Sequence, residues 1–145
     1  MSRKYLLAWS RHAFLVIVLA GLLALMIPVS AVKAASVVTF ADPNLEAAIR
    51  ETIGKPTGDI YESELVGLTG LSATGRGIVN LAGLEYCTSL IGLSLDNNQI
   101  SDITPLSGLT SLTGVGLDYN LVDNVTPLSG LTSLTVLGLE SNLVD

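Results

Sequence analysis

Three acidic residues, Asp96, Asp118 and Glu140, recur at intervals of 22, and so do three asparagines, Asn98, Asn120 and Asn142. A carboxylate column can take a basic polypeptide segment or a cation such as calcium, which prefers clustered oxygen ligands. It can also be a solvated acidic edge, and like charges on neighbouring strands repel one another. Two of the acids, Asp96 and Asp118, could formally supply the carboxylate pair of a glycoside hydrolase. Nothing in the sequence suggests a walled pocket or an aromatic sugar platform beside them. Other catalytic arrangements are poorly supplied. The chain has a single histidine, His12, and a single cysteine, Cys87. A Ser-His-Asp or Cys-His nucleophile therefore needs His12, and a zinc site of His and Cys type lacks ligands. We expect no cofactor, no metal and no enzyme activity.

His12 lies in a segment that reads as a targeting signal. Arg3, Lys4 and Arg11 are followed by an apolar run, Ala13 to Ile27, then Pro28 and small residues ending in Val32-Lys33-Ala34. That order is a secretory signal peptide over residues 1–34. Residues 13–32 are also long enough to span a bilayer as an uncleaved anchor, although Pro28 and the small residues suit cleavage better. Both readings put the rest of the chain outside the cell, secreted or at the cell surface. Without residues 1–34, Arg50, Lys55 and Arg76 face thirteen acids, a net charge of about −10. Such a surface repels nucleic acid and anionic lipid, so neither is an expected partner. One cysteine permits no internal disulfide, and packing alone must hold the domain together.

The 22-residue interval extends beyond the acids and asparagines. Leu90, Leu112 and Leu134 share it, as do Leu93, Val115 and Leu137, then Leu95, Leu117 and Leu139, and Pro105 and Pro127. The string TPLSGLTSLT occurs at 104–113 and again at 126–135. A degenerate first copy occupies 63–84, with Arg76 where asparagine is expected; copies at 85–106 and 107–128 are complete, and 129–145 is a partial one. The pattern L-x-x-L-x-x-L-x-L-x-x-N-x-I-x-x-I-x-P-L is a leucine-rich repeat, one strand and a tight return segment per copy. The expected fold is an α/β solenoid with a parallel sheet on its concave face. Alternation sends Leu93 and Leu95 inward and Gly92, Ser94 and Asp96 outward. The asparagine column is expected to be a buried structural ladder, since an amide can both donate to and accept from backbone groups at the turns. Cys87 shares a register with Leu65, Leu109 and Leu131 and is expected in the core.

A stacked core exposes apolar surface at its ends and needs caps. Residues 35–62 supply a small helical one. Asp42 is an N-cap, Pro43 a first helical residue and Gly54 a terminator, with Leu45, Ala48, Ile49 and Ile53 at helical spacing between them. Val38 and Phe40 precede the helix as an apolar clamp.

The segment TFADPNLEAAIRETIGKP, followed by LVGLTGL, NLAGLEYCTSL and LDNNQISDITPLSGLTSL, resembles the start and the repeats of internalin-family proteins. These are secreted or surface leucine-rich-repeat proteins of Gram-positive bacteria. The resemblance covers residues 39–145 and implies a helical cap, a curved parallel sheet and a concave face that binds protein. Members of that family usually carry more repeats, an immunoglobulin-like junction and a wall-attachment region, to which nothing here corresponds. Residues 129–145 stop before the Pro-Leu end of a repeat, and no capping segment follows. A fragment of a longer surface protein, or a truncated product that pairs into a homodimer through its uncapped last repeat, is therefore the alternative to a binding module. The concave face offers Ser72, Thr74, Ser94, Asp96, Asp118, Val136 and Glu140, with Tyr119 and Tyr86 at its rim. The expected partner is a host or cell-envelope protein.

Overall fold

Asp42 ends an extended segment and begins the first helix, and its side chain shows why the chain turns there. One carboxylate oxygen accepts from the backbone N–H of Asn44 and Leu45 at 2.8 and 3.4 Å, meeting donors that the first helical turn leaves free. Pro43 follows at the first helical position, where it needs no N–H. Helix α1 runs Pro43–Ile53 and ends at Gly54, whose left-handed conformation returns its N–H to Arg50 and Glu51. Leu45, Ala48 and Ile49 form its buried face.

The computed structural model describes residues 36–144; the signal-peptide reading of residues 1–34 lies outside them. Ahead of α1, strand β1 (Val37–Val38) pairs antiparallel with β2 (Ile60–Tyr61), and α2 (Glu62–Leu65) follows. Four three-residue strands then build a parallel sheet in the order β3 (Gly70–Ser72), β4 (Gly92–Ser94), β5 (Gly114–Gly116) and β6 (Val136–Gly138). Every pairing joins residues 22 apart, such as Leu71 with Leu93 and Leu93 with Val115. The sequence period is thus the sheet register itself. Backbone bonds extend the ladder past the strands, from Leu95 N–H to Gly116 O and from Asn97 N–H to Asp118 O, each 2.8 Å.

The return side repeats with the same period. Thr104–Leu106 and Thr126–Gly130 are 3-10 turns with proline near their starts, where its fixed φ is already suitable. Asn80, Asp102 and Asn124 each accept the N–H two residues on, shaping the approach to these turns. Between the sheet and the return side lies one apolar core, including Leu71, Leu90, Leu93, Leu95, Ile100, Ile103, Leu106, Leu112, Val115 and Leu117. Cys87 belongs to it and is fully buried.

Helix α1 packs beside β3 at the start of the stack, and its apolar residues join the same core. Two contacts fix it there. The second oxygen of Asp42 accepts from Val79 N–H at 2.7 Å and Asn80 N–H at 3.2 Å, so one carboxylate serves the helix and the first return segment together. Phe40 packs against Gly83, where an added Cβ would meet the ring at 2.6 Å. The left-handed φ of +103° at Gly83 also favours glycine.

Candidate binding face

Each asparagine of the column bridges its own copy and the one before it. The Asn98 amide nitrogen donates to Ala73 O and Leu95 O at 2.9 and 2.7 Å, while its oxygen accepts from Arg76 N–H and Ile78 N–H, both at 3.0 Å. Asn120 repeats this with Leu95 O, Leu117 O and Ile100 N–H. Asn142 does so with Leu117 O, Leu139 O and Val122 N–H. Asn98 and Asn120 are buried, and Asn142 is half-buried. Among the described residues no buried side-chain nitrogen or oxygen lacks a partner. Arg76 breaks the column where α1 takes the place of a preceding copy; its guanidinium reaches Glu51 on that helix at 2.6 and 3.1 Å.

The acidic column is also built into the framework. One oxygen of Asp96 accepts from Asp118 N–H at 3.0 Å and the other from the Ser94 hydroxyl at 2.9 Å. Asp118 accepts from Glu140 N–H at 2.7 Å. Each carboxylate therefore leans across the sheet onto the next copy, where it meets a backbone donor that offsets its charge. The lean requires glycine beneath it. A Cβ on Gly116 would sit 2.7 Å from Asp96, and one on Gly138 would sit 2.7 Å from Asp118. In the first copy Thr74 stands at the acid's register and Ser94 at the glycine's, and their hydroxyls bond at 3.0 Å. Residues 74/94, 96/116 and 118/138 are thus three pairs spaced by 20, a signal present in the sequence and hidden under the period of 22.

Ser72, Thr74, Val136 and Glu140 are exposed, whereas Ser94, Asp96 and Asp118 are half-buried. Tyr119 stands at the rim, 51% exposed, with its hydroxyl 3.4 Å from a Glu140 carboxylate oxygen. Its backbone is left-handed, φ 56°, as it is at the equivalent Gly75, Asn97 and Ser141. The strand face is therefore small and hydroxylic over the first two copies, glycine-rich in the third, and carries one exposed aliphatic side chain, Val136, in the fourth. Tyr86 is exposed ahead of β4.

On the return side, Ser101, Asp102, Ile103, Thr104, Asp123, Asn124 and Pro127 line a shallow depression of about 250 Å³. That is smaller than usual small-molecule sites, and Asp102 is already bonded to Thr104 N–H. The Cys87 thiol is no nucleophile: burial, with the nearby Glu85 charge, pushes it up to about 12.

Residues 88–130 match the model of the leucine-rich-repeat family, two copies. With the four-strand parallel sheet, this makes the chain a leucine-rich-repeat solenoid. Solved structures narrow the class. The internalin InlF of Listeria monocytogenes is 34% identical with a TM-score of 0.70, over 71% of this chain and 31% of that one. Internalin C2 of the same organism is 38% identical with a TM-score of 0.68, over 70% and 46%. The functional domain of Listeria InlJ, which includes a cysteine ladder, is 31% identical with a TM-score of 0.67, over 71% and 23%. The protein is internalin-like, and it spans less than half the length of each of these relatives. No curated protein matches its sequence.

Proposed function

We propose that this protein is an extracellular, non-catalytic binding module that holds another protein against the concave face of its parallel sheet. The observation that carries the reading is the division of the sheet. Leu71, Leu93, Leu95, Val115 and Leu117 are buried on one side, while Thr74, Val136 and Glu140 stand exposed on the other. A solenoid of this kind offers an extended surface rather than an enclosed pocket. The internalin-like fold supports a protein partner, and the signal-like residues 1–34 support export from a bacterial cell, with release or retention at the surface.

The test is capture of a partner from host or cell-envelope extract by the whole chain and by a Thr74→Lys/Val136→Lys variant. These two positions are exposed; neither is an asparagine or carboxylate of the two ladders, and Thr74 gives up only its exposed hydroxyl bond to Ser94. We expect one specific partner, lost by the variant while its thermal unfolding is unchanged. Equal capture by both proteins would contradict a concave-face site.

A further inference from the structure

The rim beyond the strands of the third and fourth copies differs from the rest of the array. Past β5 the chain alternates, with Asn120 and Val122 buried and Tyr119, Leu121 and Asp123 exposed. Past β6, Ser141 and Leu143 repeat the outward positions. In the second copy the same outward register holds Asn97, Gln99 and Ser101, all polar. Leu121 and Leu143, 47% and 61% exposed, are therefore apolar at a solvent-facing register and are not displaced core residues. Val122 and Leu143 are joined through a backbone bond of 2.9 Å, which sets the outward side chains of the two copies next to each other. Tyr119 adds an exposed ring, held in a left-handed conformation that the glycine and asparagine of earlier copies adopt with less strain.

Charge selects what can cover this strip. From Gly77 to Val144 there is no Lys, Arg or His, but there are six acids: Glu85, Asp96, Asp102, Asp118, Asp123 and Glu140. The three described cations are all ion-paired elsewhere, Arg50 with Glu46, Lys55 with Glu64 and Arg76 with Glu51. Asp123 flanks Leu121 on the same outward register, and the Glu140 carboxylate lies 3.4 Å from the Tyr119 hydroxyl. A second copy of this chain would bring the same negative field, and an anionic lipid surface would be repelled as well. Aromatic and apolar side chains rimmed by one sign of charge fit a complementary polypeptide.

We propose that Tyr119, Leu121 and Leu143 form a docking strip for a cationic segment of a partner protein, with Lys or Arg beside the acids and aliphatic side chains on the strip. This deepens the binding-module reading and rests on it. Binding of three fluorescent ten-residue peptides to the whole chain tests it by anisotropy at physiological salt: alternating Lys-Leu, Lys-Ser and Glu-Leu. The variant is Tyr119→Asn/Leu121→Gln, which installs the second copy's own residues and so suits the backbone. The expected result is binding of Lys-Leu alone, weakened at least tenfold by the variant, with a thermal midpoint no lower than that of the parent. No binding of Lys-Leu, equal binding of Lys-Ser, or unchanged affinity in the variant would overturn the docking strip. A partner captured through Thr74 and Val136 but held equally by the Tyr119→Asn/Leu121→Gln variant would remove the strip and leave the binding module standing.

Discussion

Gly116 and Gly138 are defined by what lies over them. Asp96 and Asp118 lean onto these glycines to reach the next copy's N–H, with no room for a Cβ. Gly116→Ala should therefore cost about 1–3 kcal/mol in urea unfolding, the range for overpacking a close contact. Adding Asp96→Ala should recover part of that loss, because the clash leaves with the carboxylate; additive losses would show that the two residues do not touch. Asn120→Ala should cost a similar amount, about 1–3 kcal/mol, since it orphans the buried Ile100 N–H and leaves Leu95 O and Leu117 O with only the Asn98 and Asn142 amides. The position of Asn120 can be read from the 22-residue spacing. The Asp-over-Gly pairing cannot be read in the same way, because it depends on which way a side chain leans between copies. A sequence repeat alone is silent on that, so the acids read as a repelling column until their backbone partners are seen.

At the scale of elements, α1 was legible at both ends, because Asp42-Pro43 and Gly54 are chemically explicit caps. The β1–β2 pair and α2 were not, since two residues per strand and four in a helix carry no measurable periodicity. Asp42 also does more than a cap: besides the helix it holds Val79 and Asn80. Burial raises its carboxyl, but the four backbone donors at Val79, Asn44, Asn80 and Leu45 outweigh that and hold it below its ordinary value. A group depressed in the folded state stabilises fully above its unfolded value and loses that contribution as pH falls through the folded one. The attachment of α1 should thus weaken below about pH 4. Asp42→Asn, which exchanges one acceptor oxygen for a donor, should lower stability at neutral pH and flatten the acid limb of a urea-midpoint profile. An unchanged acid limb in that variant would assign the pH dependence to other carboxylates.

For the whole molecule, one period sets both the packing and the charge. Residues 36–144 hold twelve acids and three bases, and the bases all lie at or before Arg76. The repeats therefore repel themselves, while the three ion pairs at the start of the stack are surface pairs of small worth. Raising salt from near zero to about 0.15 M screens the repulsion, so the thermal midpoint should rise; a fall would mean that the ion pairs dominate. The same imbalance is the long-range attraction that a basic partner would meet first. Fold class is plain in the sequence because the repeat is both the pattern and the architecture. The binding face is less plain, because Leu121 and Tyr119 depart from the polar residues of the second copy without departing from the repeat.

The most direct test of the account is site-specific photocrosslinking in the native host, followed by mass spectrometry of the adducts. A photoreactive residue would replace Ser94, Tyr119 or Val136 on the concave face and rim, and Ser107 or Ser129 on the return side. One partner protein should crosslink from the first three positions and none from Ser107 or Ser129. Adducts from the return side with a silent concave face would contradict it.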